Sequence, residues 1–117
     1  MVGQAHREMK PWDIYLVGFE REGAHPAVVI SSEERCLNPD IDTVNALLCT
    51  SAKLNRGPRE TEIILDESDG LDWKTAVRCD VIYLLEKADF RETRGAVTLL
   101  RRKAITRKIV ECLRLPL

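Results

Sequence analysis

The chain has 117 residues, 44% of them apolar and 32% charged, with a formal net charge of −1. That length predicts one domain over 1–117 with 1–10 as a flexible N-terminus, and the apolar fraction excludes a disordered tail. No apolar run approaches the about 20 residues of a membrane span, and no apolar segment follows the polar start, so the reading is a cytoplasmic protein with no membrane partner. So short a chain buries only about two-thirds of its unfolded surface, which favours association with a second copy.

The first strand is predicted over Asp13–Phe19. Ile14, Leu16 and Gly18 alternate with Tyr15, Val17 and Phe19, and both faces are rich in β-formers. Glu20 to His25 reads as a polar loop, and Pro26 opens a second strand, Ala27–Ser31, giving a hairpin with a long loop. Ser32–Asp42 is charged and carries the turn signal Asn38-Pro39-Asp40. Thr43–Thr50 is a third strand, Ser51–Arg59 a basic loop, and Glu60–Leu65 a half-buried strand. Asp66–Asp72 is an acidic turn around Gly70, and Lys74–Leu85 is the longest strand signal, with a bend near its middle. Arg94-Gly95 predicts a turn and Ala96–Thr98 a short sixth strand. The period then becomes helical: Leu99, Leu100, Ile105, Ile109, Val110 and Leu113 recur at that spacing, with Thr98 as N-cap and Pro116 past the end. Short strands at intervals of about 8–12 residues indicate a small barrel rather than βαβ units. The fold class is therefore mainly β (α+β), an antiparallel barrel of five to seven strands with a C-terminal amphipathic helix.

Charge is uneven along the chain. Residues 1–85 hold 9 Lys/Arg against 15 Asp/Glu, and residues 86–117 hold 9 against 4. A basic final third on a near-neutral chain favours local anion attraction. Arg101, Arg102 and Lys103 fall in the first turn of the final helix, where cations oppose the helix dipole. They require an acidic counterpart: Glu86, Asp89, Glu92 or a bound anion.

The four cysteines, 36, 49, 79 and 112, form no C-x-x-C, and no His lies at ligand spacing from a Cys or from the other His. They read as reduced, buried small hydrophobes; neither a metal site nor any other cofactor is expected. GxGxxG, P-loop, GxSxG and HExxH motifs are all absent, which excludes the commonest nucleotide-binding and hydrolase classes.

Three constellations can carry chemistry. His25 precedes Pro26, which biases its backbone to an extended conformation, and an imidazole exchanges protons near neutral pH. Arg78 and Asp80 flank Cys79 in the long strand, on one side of it and about 7 Å apart at their bases. They form either an ion pair on a sheet surface or a phosphodiester site, with the carboxylate taking a proton and the guanidinium holding phosphate oxygens. Thr50-Ser51 at a strand end can bind a phosphate or cap the turn.

The order of these pieces resembles the MazF/PemK-like toxins of type II toxin–antitoxin systems. Asp13-Ile14-Tyr15-Leu16-Val17 resembles the opening strand, and His25-Pro26-Ala27-Val28-Val29-Ile30-Ser31 the second-strand motif. Leu48-Cys49-Thr50-Ser51 resembles the apolar-x-Thr-Ser strand end, and Asp69-Gly70-Leu71 with Val77-Arg78-Cys79-Asp80 the PemK-type segment. Arg94-Gly95-Ala96-Val97-Thr98 resembles the block before the final helix, so the likeness spans about residues 11–115. It implies an SH3-like barrel, a homodimer, a cognate antitoxin as partner, and metal-independent cleavage of single-stranded RNA to a 2′,3′-cyclic phosphate. By motif, Asp80 resembles the base, Arg78 the acid or phosphate holder, and His25 stands where an Arg is usual before Pro26. Asp13, Thr50, Ser51 and, in the basic loop, Lys53 are the expected RNA contacts. Trp12 stands where a Gly is usual. The alternative implied by the same fold is a binding protein that has lost catalysis, or one that inhibits gyrase.

Overall fold

The computed structural model describes residues 8–19, 23–50 and 55–117. In chain order they form β1 (Asp13–Phe19), β2 (Gly23–Val29), α1 (Glu33–Leu37), β3 (Thr43–Leu48), β4 (Glu62–Leu65), β5 (Thr75–Arg78), β6 (Tyr83–Glu86), β7 (Phe90–Ala96) and α2 (Leu99–Leu113). Five strands make one antiparallel sheet in the order β6-β3-β2-β1-β7, and β4 with β5 makes a second. The sheets join where Cys49, just past β3, bridges Val77, and where the Thr50 amide donates to the Ala76 carbonyl at 3.0 Å. The result is the expected α+β architecture.

The main sheet is apolar on both faces. On one face Ile14, Val28, Leu47 and Cys49 meet Val77, Cys79 and Leu65 of the second sheet. α2 covers this layer through Ile105, Ile109 and Cys112, one stripe at i, i+4 and i+7. On the other face lie Tyr15, Val29 and Val44 with Cys36 of α1, and beside them the smaller cluster Val17, Ala27 and Ala46. Phe90 meets Tyr15 edge-on at 5.6 Å between ring centres. The cysteines are free; all are buried except Cys112, which is half-buried.

Several elements differ from expectation. The turn segment after β2 holds α1, whose N-cap Ser32 accepts from the Arg35 amide and whose first turn carries Glu33 and Glu34. Five residues are too few to show a helical period. The second strand starts earlier than expected, so His25 and Pro26 lie inside β2, and Pro26 still gives its carbonyl to the Cys49 amide at 2.9 Å. The long strand signal over 74–85 is two strands, β5 and β6, in different sheets. Apolar character marks both but does not say where the chain leaves one sheet for the other. Arg94-Gly95 is not a turn but part of β7, with Gly95 opposite Ile14. A Cβ on Gly95 would sit 2.1 Å from the Asp69 carbonyl oxygen, so the glycine serves close approach of two backbones. In α2, Leu99 and Leu100 are 67% and 79% exposed rather than part of the buried stripe.

The counterpart of Arg101 is neither Glu86, Asp89 nor Glu92. The Asp66–Asp69 turn packs against the start of α2 instead. Arg101 donates to both Asp66 oxygens at 2.8 and 3.1 Å and also to Asp69. Asp69 further accepts the Thr98 amide and the Asp66 amide, each at 3.0 Å. The Arg101 hydrogen bonds hold the Asp66 carboxyl well below the usual carboxylate range. Gly70, at φ 86°, ends this turn in the left-handed region that glycine enters freely.

Candidate functional site

Alternation along β5 sends Val77 and Cys79 into the core, so Arg78 and Asp80 project from the other side. They form a two-point ion pair: Nε to Oδ1 at 3.2 Å and Nη2 to Oδ2 at 3.0 Å. The two side chains are 48% and 29% exposed, which places the pair at the surface. The guanidinium hydrogen bonds lower the Asp80 pKa and raise that of Arg78. Between them, burial pushes the Cys79 thiol up to about 12, so it is no nucleophile at neutral pH.

Glu62 lies directly opposite Arg78 in the β4–β5 ladder, and cross-strand partners share a face. Its buried carboxylate takes two bonds from Arg56, at 2.8 and 3.1 Å, and one from the Arg59 amide at 2.8 Å. The bonds to Arg56 lower its pKa. Sequence reasoning missed this pair. Its signal was the charged–apolar alternation of 60–65, but only the strand pairing puts Glu62 beside Arg78.

His25 is opposite Val17 in β1 and shares its face with Ala27, two residues on. In β3 the residues on that face are Ala46, Leu48 and then Thr50. The Pro26–Cys49 and Thr50–Ala76 hydrogen bonds fix the three strands in register. By register, His25, Thr50 and Arg78 fall on one side of these adjoining strands; Arg78 is exposed, whereas His25 and Thr50 are half-buried and the His25 Nε2 atom is buried. His25 and Arg78 are two strand spacings apart, about 10 Å across and about 7 Å along at the backbone. Such a gap suits a bridging ligand rather than direct contact.

The other expected residues separate. The Thr50 hydroxyl lies 2.8 Å from that of Thr75 and accepts the Ala76 amide at 3.3 Å, while Thr75 donates to the Thr50 carbonyl. Thr50 thus locks β3 to β5. Asp13 is buried at the far end of β1, about 13 Å along the strand from Val17. There it accepts the Lys10 amide at 3.0 Å. The structure does not bring Asp13 to the His25 end. Ser51 and Lys53 lie outside the described residues, as do 20–22 of the expected loop.

The family model for the PemK-like, MazF-like toxin of type II toxin–antitoxin systems matches residues 10–113. The chain belongs to this family. No curated protein matches it. Among solved structures it resembles a mycobacterial endoribonuclease in complex with its cognate antitoxin, at 25% identity and TM-score 0.75, covering 93% of this chain and 98% of that one. The Mycobacterium tuberculosis toxin MazF-mt6 is 22% identical with TM-score 0.73, covering 90% and 99%. A MazE–MazF structure from Deinococcus radiodurans matches at 18% and 0.71, covering 95% and 100%. The latter two show the fold, and the matches take in nearly the whole of each of those two chains. No described helix is long and apolar enough to cross a membrane.

Proposed function

We propose that this PemK/MazF-like chain is a sequence-specific endoribonuclease acting on single-stranded RNA, the toxin of a cytoplasmic toxin–antitoxin pair. The observation that supports it most is the exposed Arg78–Asp80 pair on the same strand surface as His25. An incoming phosphodiester competes for the guanidinium of Arg78. As Arg78 turns to the phosphate oxygens, Asp80 loses the bonds that lower its pKa and becomes a better base. Asp80 takes the proton of the ribose 2′-hydroxyl while that oxygen bonds to phosphorus. The bond from phosphorus to the 5′-oxygen breaks, and His25 as imidazolium protonates the leaving oxygen. The products are a 2′,3′-cyclic phosphate and a free 5′-hydroxyl. Thr50 reaches the phosphate by turning its hydroxyl from Thr75, and Ser51 and Lys53 contact RNA from the adjoining loop. Every step uses protein side chains, so cleavage is expected to survive EDTA.

A homodimer and a cognate antitoxin belong to the same proposal. Ile82, Leu84, Leu113 and Leu115 are exposed apolar side chains that a second copy would cover. The test is gel cleavage of a mixed-sequence RNA with end-mapping. His25→Ala, Arg78→Ala and Asp80→Ala are each expected to lose about 10²-fold or more. Unchanged cleavage in all three rejects the site. Growth arrest with RNA left intact points instead to a binding protein on this fold.

A further inference from the structure

The face that carries Arg78 and Asp80 holds a further acid that the proposed chemistry does not use. Glu62 is directly opposite Arg78 in the β4–β5 ladder, with side-chain bases about 5 Å apart, and only 4% of its side chain is exposed. A carboxylate this deep stays charged only when donors take up its oxygens. Oε1 accepts from Arg56 and from the Arg59 amide, each at 2.8 Å, and Oε2 accepts from Arg56 at 3.1 Å. The Arg56 bonds hold the Glu62 carboxyl below the usual carboxylate range, so it is an anion wherever Asp80 can act as a base. Both its oxygens are tied, so it does not follow a moving partner. Arg56 also donates to the Gly57 carbonyl at 2.9 Å, which anchors the cation as well.

Asp80 feels two opposed charges, Arg78 on its own strand and Glu62 across the ladder. Behind Glu62 stands Arg56. Tyr83 of β6 acts on Arg78, and its phenol is neutral below about pH 9. His25 of β2 lies beyond β3. While the ion pair is intact, the Arg78 hydrogen bonds outweigh Glu62 and depress the Asp80 carboxyl. Once a phosphodiester draws Arg78 away, the balance at Asp80 passes to Glu62. We propose that Glu62 is the positioning residue of the base: its fixed negative charge keeps Asp80 a strong proton acceptor while Arg78 holds the phosphate, and Arg56 sets how much of that charge Asp80 feels. Glu62 acts through Asp80 and touches neither ribose nor phosphate. The proposal deepens the ribonuclease reading and rests on it. The competing account is a clamp that only ties residues 56–59 to β4. Either substitution breaks a clamp in the same way, whereas the two change the charge in opposite directions.

The test is the pH profile of RNA cleavage by the full chain, with kcat and KM separated. The acid limb of kcat reports the base in the bound complex, where Arg78 is on the phosphate; that of kcat/KM reports the free protein. Glu62→Gln is expected to move the kcat limb down by about half a pH unit or more, and Arg56→Met to move it up by a similar amount. Both limbs of kcat/KM should move less. Arg56→Lys keeps the charge and should restore the wild-type limb. Carbon-13 NMR of the Asp80 carboxyl reads the same coupling without RNA. In an Arg78→Met background, adding Glu62→Gln should make Asp80 titrate at lower pH. If Glu62→Gln does not fold, the Arg56→Met and Arg56→Lys pair still decides the outcome. Limbs that stay in place, or that move the same way in both variants, overturn the proposal while Asp80-dependent cleavage keeps the ribonuclease reading. RNA left intact by wild type overturns that reading and the role of Glu62 with it, whatever the NMR titration shows.

Discussion

Arg101 and Arg78 each meet an aspartate through two guanidinium nitrogens, yet the two pairs are built for different ends. Around Arg101 the acceptors are saturated: Asp69 takes the amides of Thr98 and Asp66, and Asp66 takes the Ser68 amide. The Asp69 side chain is wholly buried, and the network ties the 3-10 turn at Glu67–Asp69 to the start of α2. Asp80 by contrast is reached by Arg78 and, among the described residues, by no amide of another element. One pair holds the fold, because a buried carboxylate without its donors is costly. The other is open to solvent, so a ligand can replace either member at little cost to the fold.

Four measurements can break or sharpen this contrast. Asp69→Ala leaves the Thr98 and Asp66 amides without their acceptor and takes one of two carboxylates from Arg101, and is expected to cost about 3–5 kcal/mol in urea unfolding. A loss below about 1 kcal/mol would mean that the network is not structural. Gly95→Ala forces β7 away from the Asp69 carbonyl and should cost about 1–3 kcal/mol, with the midpoint shifted and the slope unchanged.

Acid titration of stability separates the pairs next. Because Asp66 is held below its unfolded value, its contribution is complete above about pH 4 and is lost as pH falls through the native value. Stability should be flat in this respect near neutrality and drop on the acid side. Arg101→Met should flatten that drop, and Arg78→Met should barely alter it. The smallest effect is expected for Asp80→Ala: within about 1 kcal/mol in stability, although its RNA cleavage should collapse. Parallel losses of stability and cleavage would show that the second pair is structural as well.

Much of this was legible in the sequence. β1 ends where alternation said, α2 starts after the Thr98 cap, and Arg78 and Asp80 were placed on one side by spacing alone. These are local properties, fixed by side-chain period and capping chemistry. The helix stripe was misread because Leu99 and Leu100 are apolar at helical spacing, and periodicity cannot tell which apolar face meets a neighbour. Gly95 was misread because glycine signals a turn and a close approach alike.

The sequence by itself determined the strand-rich order, the final helix and the candidate charged pair, because each rests on residues within a few positions of one another. Tertiary structure alone decided that Asp66 and Asp69 answer Arg101, that Glu62 stands beside Arg78, and that His25 and Arg78 share a surface while Asp13 does not. Those relations depend on strand register and on the packing of a turn against a helix some 30 residues away. Register is set by the summed burial of whole strands, and no single motif encodes it.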